Sequence, residues 1–201
     1  NYIEFYFDCS SPWTYLAFTE ILSLSQRNNL EIEWKPVLVG GVFNTVNQDV
    51  YEFRKKPNPL KFKYSNEDLN LWAKVRGISI SFPKVFPVNS VKAMRGCVFA
   101  KKENKLEEFA NNVFKAYWTR GIDISQEDSL LDIAIVSNLD TKDFKTFIYS
   151  SKAKESLKNN TEELIKRGGF GSPTFFYNDH MFFGNDRLSL FEQSLRRRLL
   201  D

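Results

Sequence analysis

The chain has 201 residues, of which 42% are hydrophobic and 15% are aromatic, and its 28 basic and 25 acidic residues leave a net charge of +3. This apolar content suffices for one substantial core, or for a domain with a second one inserted into it. The nearly balanced charge argues against a nucleic-acid-binding protein, and the basic run 196–198 falls in the last turn of a predicted helix, where cations complement the helix dipole. We see no apolar run of membrane-spanning length and no signal peptide, so we expect a cytoplasmic protein that does not bind membranes.

The sequence offers little for metal or disulfide chemistry. Cys9 and Cys97 are far apart and neither belongs to a Cys-x-x-Cys pair, while His180 is the single histidine. These residues cannot form a zinc or haem site at sensible spacing, so we expect no metal. We predict that both cysteines are buried and that His180 lies at a surface turn.

The first 40 residues predict a strand, a helix and a second strand. Residues 2–7 are apolar and rich in β-forming types, and Pro12 suits the first position of a helix that runs to about Gln26. Residues 30–38 alternate as a strand. A helix between two strands with a short return predicts a parallel βαβ unit.

The middle of the chain is predicted to be helical after an irregular start. Residues 42–64 are polar and contain two prolines, so we interpret them as irregular. Six helices follow by periodicity, with caps at Ser90, or alternatively Asn89, and at Asp140. The predicted helices are 67–75, 90–101, 106–118, 128–137, 140–150 and 153–167.

The last 34 residues return to mixed structure. Residues 172–177 and 180–183 predict a β-hairpin around the turn Asn178-Asp179, and a final helix is predicted over 188–200. The order βαβ, helices, ββα indicates an α/β fold of the thioredoxin-like (DsbA-like) type with a large all-helical insertion. We assign residues 1–40 and 168–201 to the thioredoxin-like domain and 41–167 to the insertion.

The junction Ser11-Pro12-Trp13-Thr14 is the most informative short segment. Redox proteins of the DsbA type carry Cys-Pro-x-Cys at such a strand-to-helix junction, whereas this chain has hydroxyls in place of both thiols. A hydroxyl cannot shuttle electrons, but at a helix N-terminus it can stabilise the thiolate of another molecule. The alternative is that Ser11 is an ordinary helix-capping serine.

Four segments, in order along almost the whole chain, resemble one family. They are Phe5-Tyr6-Phe7-Asp8-x-x-Ser11-Pro12, Pro87-Val88-Asn89-Ser90-Val91-Lys92-Ala93-Met94-Arg95, Gly171-Ser172-Pro173-Thr174-Phe175 and Phe183-Gly184-Asn185-Asp186-Arg187-Leu188. The family comprises the bacterial 2-hydroxychromene-2-carboxylate isomerases and the related kappa-class glutathione transferases. The chain departs from the family pattern at Ser172, where valine is common, at Phe183, where tryptophan is frequent, and in a long loop at 44–59 that carries Arg54-Lys55-Lys56.

The resemblance implies that glutathione is the cofactor, that the protein is a homodimer and that Ser11 is the catalytic residue. It also implies a glutathione site, whose members are Ser11, Pro12, Asn47, Lys61, Ser172, Pro173, Asn185 and Asp186. In the family, a cis peptide bond before the proline exposes main chain for the cysteinyl part, which would be the Ser172–Pro173 bond here. The pair Asn185-Asp186 would bind the γ-glutamyl end, and Lys61 and Asn47 would reach the glycine end. The alternatives are an ordinary trans proline, helix caps and a solvated lysine.

Three functions remain open from the sequence. The first is a glutathione-dependent isomerase whose thiolate adds to an aromatic carboxylate intermediate of aromatic catabolism, allows rotation and is then eliminated. The second is a kappa-like transferase that conjugates glutathione to electrophiles. The third is a redox-inactive thioredoxin-like domain that binds a peptide or another protein.

Overall fold

The computed structural model describes residues 2–200 and contains a four-stranded mixed sheet in the order β2-β1-β3-β4. The strands are β1 (Tyr2–Phe7), β2 (Glu31–Pro36), β3 (Thr174–Tyr177) and β4 (His180–Phe183). The pair β1 and β2 is parallel, whereas β3 is antiparallel to both β1 and β4. The predicted βαβ unit, the hairpin and the thioredoxin-like fold class are therefore confirmed.

Aromatic packing anchors the sheet to its helices. Phe7 in the central strand β1 lies within 6.1 Å of the Phe18 ring and within 5.8 Å of the Trp34 ring, measured between centroids. Phe18 belongs to α1 (Pro12–Arg27), which crosses from β1 to β2 and also contacts the last helix, α10 (Arg187–Arg196). The apolar side of α1 is thereby fixed against the sheet, and this fixes the position of its first turn.

Eight α-helices fill the stretch between β2 and β3. They are α2 (Val39–Val46), α3 (Asp49–Lys55), α4 (Pro59–Arg76), α5 (Val91–Lys102), α6 (Leu106–Phe114), α7 (Glu127–Val136), α8 (Thr141–Ile148) and α9 (Ser151–Lys166). The buried helix α5 packs against α6, α8 and α9. The predicted helical segment is confirmed, while its assignment as a separate domain at 41–167 stays a prediction.

The interpretation of residues 42–64 as irregular is wrong, because α2, α3 and the start of α4 occupy most of them. Pro59 is the first residue of α4, where proline loses no hydrogen bond, and the Asn58 side chain accepts from the amides of Leu60 and Lys61. The polarity of these residues reflects exposure to solvent and not a lack of secondary structure. The predicted helix 67–75 is the second half of α4, which ends at Gly77 with a φ of 66°.

The remaining helix predictions are confirmed with small shifts at their ends. The Asp140 side chain caps α8 as predicted, but Ser90 does not cap α5, since Asn89 Oδ1 accepts from the Val91 amide instead. The predicted helix 106–118 is α-helical to Phe114 and continues as the π-helical segment Lys115–Thr119. Across residues 2–200, no helix combines the length and apolar character needed to cross a bilayer.

Candidate functional site

The start of α1 lies against the main chain that precedes Pro173. Ser11 is the N-terminal cap of α1, and its Oγ accepts from the Thr14 amide at 3.3 Å. The same hydroxyl donates to the carbonyl oxygen of Ser172 at 3.4 Å, and the Ser172–Pro173 bond is cis, as predicted. The capping interpretation of Ser11 is thus confirmed, and its hydroxyl also faces the main chain of the other half of the fold.

The second position that carries a thiol in redox relatives is occupied by a fully buried hydroxyl. Thr14 Oγ1 lies 2.8 Å from Ser172 Oγ, and Ser172 Oγ also accepts from the Asp8 amide at 3.0 Å. Ser172 was predicted to act through its main chain alone. Its side chain also joins the segment before β3 to α1 and to the residue that follows β1.

Asp8 fixes the helical segment to the end of β1. Its buried carboxylate accepts from the amides of Ser10 at 2.9 Å and Val39 at 2.8 Å and from the Ser90 hydroxyl at 3.0 Å. Burial raises the pKa of Asp8, while these hydrogen bonds oppose the rise. We call Asp8, Ser11, Thr14 and Ser172 the cleft base.

A cleft of about 550 Å³ opens from the cleft base, next to Ser11 and Ser172. Its lining is dominated by phenyl rings, which come from Phe43, Phe53, Phe62, Phe82, Phe86, Phe170 and Phe183. The rings of Phe82 and Phe86 also pack on the buried Trp118. We call Phe53, Arg54, Phe62, Phe82 and Phe86 the outer wall, because all of them line the cleft and all are exposed to solvent.

The structure brings four of the predicted site residues to this cleft: Ser11, Pro12, Asn47 and Ser172. Asn47 donates from its side-chain amide to the Phe170 carbonyl at 3.1 Å, and the Phe170 ring packs on Phe183 with centroids 4.5 Å apart. Pro173 is next to Ser172 in the chain. This side of the cleft therefore offers main-chain and amide groups beside two rings.

Three predicted residues lie away from the lining of the cleft. Asn185 is buried, its Oδ1 accepts from Arg76 at 3.2 Å, and its Nδ2 has no acceptor among the described residues. Asp186 precedes α10 but makes no capping hydrogen bond through its side chain, and Lys61 is exposed on α4. The assignment of these three residues to glutathione stays a prediction.

The cysteines and the histidine are not placed for catalysis. Cys9 and Cys97 are buried and unpaired, and burial raises the pKa of the Cys9 thiol, which disfavours its thiolate. His180 is exposed at the start of β4. Within residues 2–200 there is also no group of three or more His, Cys, Asp or Glu side chains arranged to hold a metal ion.

The fold and the site define a class of protein: a thioredoxin-like domain that carries hydroxyls where redox relatives carry thiols. Residues that sequence reasoning missed are Asp8, Thr14 and the ring-bearing residues of α3 and α4. An acid at the end of an apolar strand, immediately before a Ser-Pro helix start, was the available signal for Asp8. No comparable signal marked Phe53, Arg54 and Phe62 of the outer wall, because they lie in the segment 42–64 that was interpreted as irregular.

Comparison with known proteins places the chain within this class. Residues 2–196 match the family model of the DSBA-like thioredoxin domain. The 2-hydroxychromene-2-carboxylate isomerase of Pseudomonas putida is 30% identical over 97% of this chain and 94% of its own length. Glutathione S-transferase kappa 1 of Homo sapiens is 28% identical over 94% of this chain and 88% of its own length.

The structural comparison agrees with the sequence comparison. A solved 2-hydroxychromene-2-carboxylate isomerase superposes with a TM-score of 0.83 at 30% identity, covering 99% of this chain and 96% of the other. The chain belongs to the DSBA-like thioredoxin domain family, within the group that contains 2-hydroxychromene-2-carboxylate isomerases and kappa-class glutathione transferases.

Proposed function

We propose that this protein is a glutathione-dependent isomerase that acts on 2-hydroxychromene-2-carboxylate or a closely similar aromatic carboxylate. The observation that carries the proposal is the position of the Ser11 hydroxyl. It stands at the start of α1, faces the Ser172 carbonyl at 3.4 Å and opens into a cleft lined by phenyl rings. The relatives named above support the choice of reaction.

The residues of the cleft base fit a bound thiolate. The first turn of α1 presents amide groups without helical partners, and the helix dipole favours an anion there. Ser11 Oγ–H would turn from the Ser172 carbonyl to donate to the sulfur, because a charge-assisted bond is stronger than a neutral one. The Ser172 main chain would pair with the cysteinyl part of the tripeptide, and Asn47 lies on the same side of the cleft.

Each part of the site has a separate task in the reaction. Bound glutathione would supply a thiolate as a reversible nucleophile: the hemiketal C–O bond of the chromene breaks to give a phenol and a ketone, a C–S bond forms as the conjugated C=C bond becomes single, and the C–S bond breaks again after rotation, so that no electrons or atoms are gained or lost overall. Ser11 stabilises the sulfur anion before addition and after elimination. The phenyl rings hold the aromatic part of the substrate and exclude water from the reacting carbon.

A second function is supported by the human kappa-class relative, which matches nearly the whole chain. A kappa-like transferase would use the same cleft base but would release a stable thioether. The homodimer and the cytoplasmic location also stay predictions.

The test is to incubate the protein with 2-hydroxychromene-2-carboxylate, with and without glutathione, and to analyse the products. The proposal predicts the trans open-chain isomer only when glutathione is present, with the glutathione recovered unchanged. A glutathione thioether as the sole product would support the transferase instead. No glutathione binding by calorimetry, together with binding of an extended peptide, would favour the redox-inactive binding domain.

A further inference from the structure

Arg54 occupies an unusual position in the outer wall. It belongs to α3, and its guanidinium carbon lies 5.5 Å from the centre of the Phe43 ring and 5.6 Å from the centre of the Phe86 ring. The side chain thus bridges two rings that both line the cleft. Arginine retains its charge when it packs on aromatic faces, and it keeps the edge of the guanidinium for hydrogen bonds.

Arg54 has no anionic partner among the described residues. The adjacent Lys55 pairs with Glu52 at 2.8 Å, whereas no carboxylate lies within 4.0 Å of Arg54. Asp49 lines the same cleft, yet it too lies beyond ion-pair distance from Arg54. The guanidinium of Arg54 is therefore available to a ligand.

Two further cations, Lys61 of the predicted glutathione site and Arg95 of the second family segment, do not compete for this position. Lys61 is exposed on α4 and does not line the cleft, and Arg95 donates to the Ile148 carbonyl at 3.0 Å, in the helical segment. Among the described residues that line the cleft, Arg54 carries the one cationic side chain. An anion that enters the cleft meets one positive side chain from the lining, Arg54, and one negative side chain, Asp49.

Arg54 lies on the side of the cleft that belongs to the helical segment. Its neighbour Phe86 packs on Trp118 with centroids 6.1 Å apart, and the Trp118 indole donates to the Cys9 carbonyl at 2.9 Å. The rings that Arg54 contacts, Phe43 and Phe86, are not among the residues predicted to bind glutathione.

We infer that Arg54 is a specificity-determining residue that binds the carboxylate of an aromatic second substrate, whose ring packs among the phenyl rings of the cleft. A guanidinium fork matches a carboxylate with two parallel hydrogen bonds, and its preference for an acid over a neutral analogue follows from the charge. The inference deepens the proposed function, because it assigns the cation that would select an aromatic acid. It places this selectivity in the segment 44–59, where the chain departs from the family pattern.

The test measures equilibrium binding and needs no turnover, so its failure is distinguishable from failure of the proposed reaction. The probes are naphthoate and its neutral counterpart naphthamide, titrated by calorimetry in the presence of glutathione. The variants are Arg54→Gln, Arg54→Lys and, as a matched loss of one exposed charge in the same loop, Lys56→Gln. Glutathione binding is titrated separately in each variant.

We expect wild type and Lys56→Gln to bind naphthoate more tightly than naphthamide. Arg54→Gln should weaken naphthoate binding about tenfold, which corresponds to the loss of one hydrogen bond to a charged group, and should leave naphthamide and glutathione binding unchanged. The affinity of Arg54→Lys for naphthoate should lie between those of wild type and Arg54→Gln, because lysine keeps the charge but lacks the planar guanidinium.

Three results would overturn the inference. The first is that wild type fails to bind naphthoate or does not distinguish it from naphthamide. The second is that Arg54→Gln weakens both probes equally, which would make Arg54 a packing residue. The third is that Arg54→Gln weakens glutathione binding as strongly as naphthoate binding, which would assign Arg54 to the tripeptide.

Discussion

The cleft base and the outer wall are built in opposite ways. In the base, Asp8, Thr14 and Ser172 are buried, and each joins segments that are far apart in the chain through hydrogen bonds of 2.8–3.0 Å. In the wall, Phe53, Phe62, Phe82 and Phe86 keep 41–56% of their surface exposed. The groups expected to hold the sulfur are therefore fixed by the core of the fold, whereas the groups expected to select the electrophile are not.

The strongest test of the base as a structural unit is Ser172→Val. This change removes the acceptor of the Asp8 amide and the partner of the Thr14 hydroxyl, and leaving buried polar groups unpaired costs about 1–3 kcal/mol. We therefore expect the free energy of unfolding, measured in urea, to fall by that amount.

A double-mutant cycle with Thr14→Val shows whether the two hydroxyls act together. If they do, the double variant should be more stable than the sum of the single changes predicts, by roughly 0.5 kcal/mol or more. Strict additivity, or a Ser172→Val variant as stable as wild type, would show that the base is not the coupled unit described here.

Because Asp8 in the cleft base is buried, its contribution to the stability of the folded protein should depend on pH. Burial raises the pKa of Asp8 above its ordinary value of 3.8. Between pH 3.8 and the folded pKa, the folded state therefore holds a proton that the unfolded state has released. Protonation in the folded state is then favoured, so the stability that Asp8 contributes is greatest below pH 3.8 and declines as pH rises through the folded pKa.

The measurement is the difference in unfolding free energy between wild type and Asp8→Asn as a function of pH. The contributions of other titrating groups cancel in this difference. As pH rises above 3.8, the unfolding free energy of wild type should fall relative to that of Asp8→Asn, with a slope of at most about 1.4 kcal/mol per pH unit. A difference that moves in favour of wild type over that range would mean that the hydrogen bonds to Asp8 outweigh its burial.

The smallest effect on stability is expected in the outer wall. Phe62 and Tyr64 are both exposed aromatic residues of α4, but only Phe62 lines the cleft. We expect Phe62→Ser and Tyr64→Ser each to change the unfolding free energy by less than about 0.5 kcal/mol.

Ligand binding should separate these two variants. Phe62→Ser should weaken naphthoate binding roughly fivefold, since about 1 kcal/mol of apolar contact is lost, while Tyr64→Ser should not. Equal effects of the two changes on naphthoate binding would place the ligand outside the cleft.

The sequence predicted two residues of the cleft base, Ser11 and Ser172, and none of the outer wall, and the difference has a physical reason. Ser11 and Ser172 sit beside prolines at junctions between strand and helix or loop and strand, and such junctions have strong local signals. The partners Asp8 and Thr14 were missed as members of the site because hydrogen bonds that span 158 or 164 residues leave no local pattern.

Phe53, Arg54 and Phe62 of the outer wall were missed because the sequence around them resembles a loop. The exposed and charged residues of α3 and α4 lack the buried stripe that marks most helices, and α3 has no buried residue at all. The cap formed by Asn58 and Pro59 was the one local signal for the start of α4, but the proline was interpreted as a sign of irregular structure. Arg54, Phe43 and Phe86 come together only in the folded structure, so their contact could not be predicted from the sequence.

The pKa of the thiol of bound glutathione, followed by the ultraviolet absorption of the thiolate during a pH titration, decides whether Ser11 stabilises the sulfur anion. The variants are Ser11→Ala and Ser150→Ala; Ser150 caps α9 through the same kind of hydrogen bond, at 3.1 Å, but does not line the cleft. The stabilising role of Ser11 predicts that wild type and Ser150→Ala lower the thiol pKa equally, and that Ser11→Ala raises it again by about one to two units, each worth about 1.4 kcal/mol. A thiol pKa that is the same in Ser11→Ala as in wild type would contradict it.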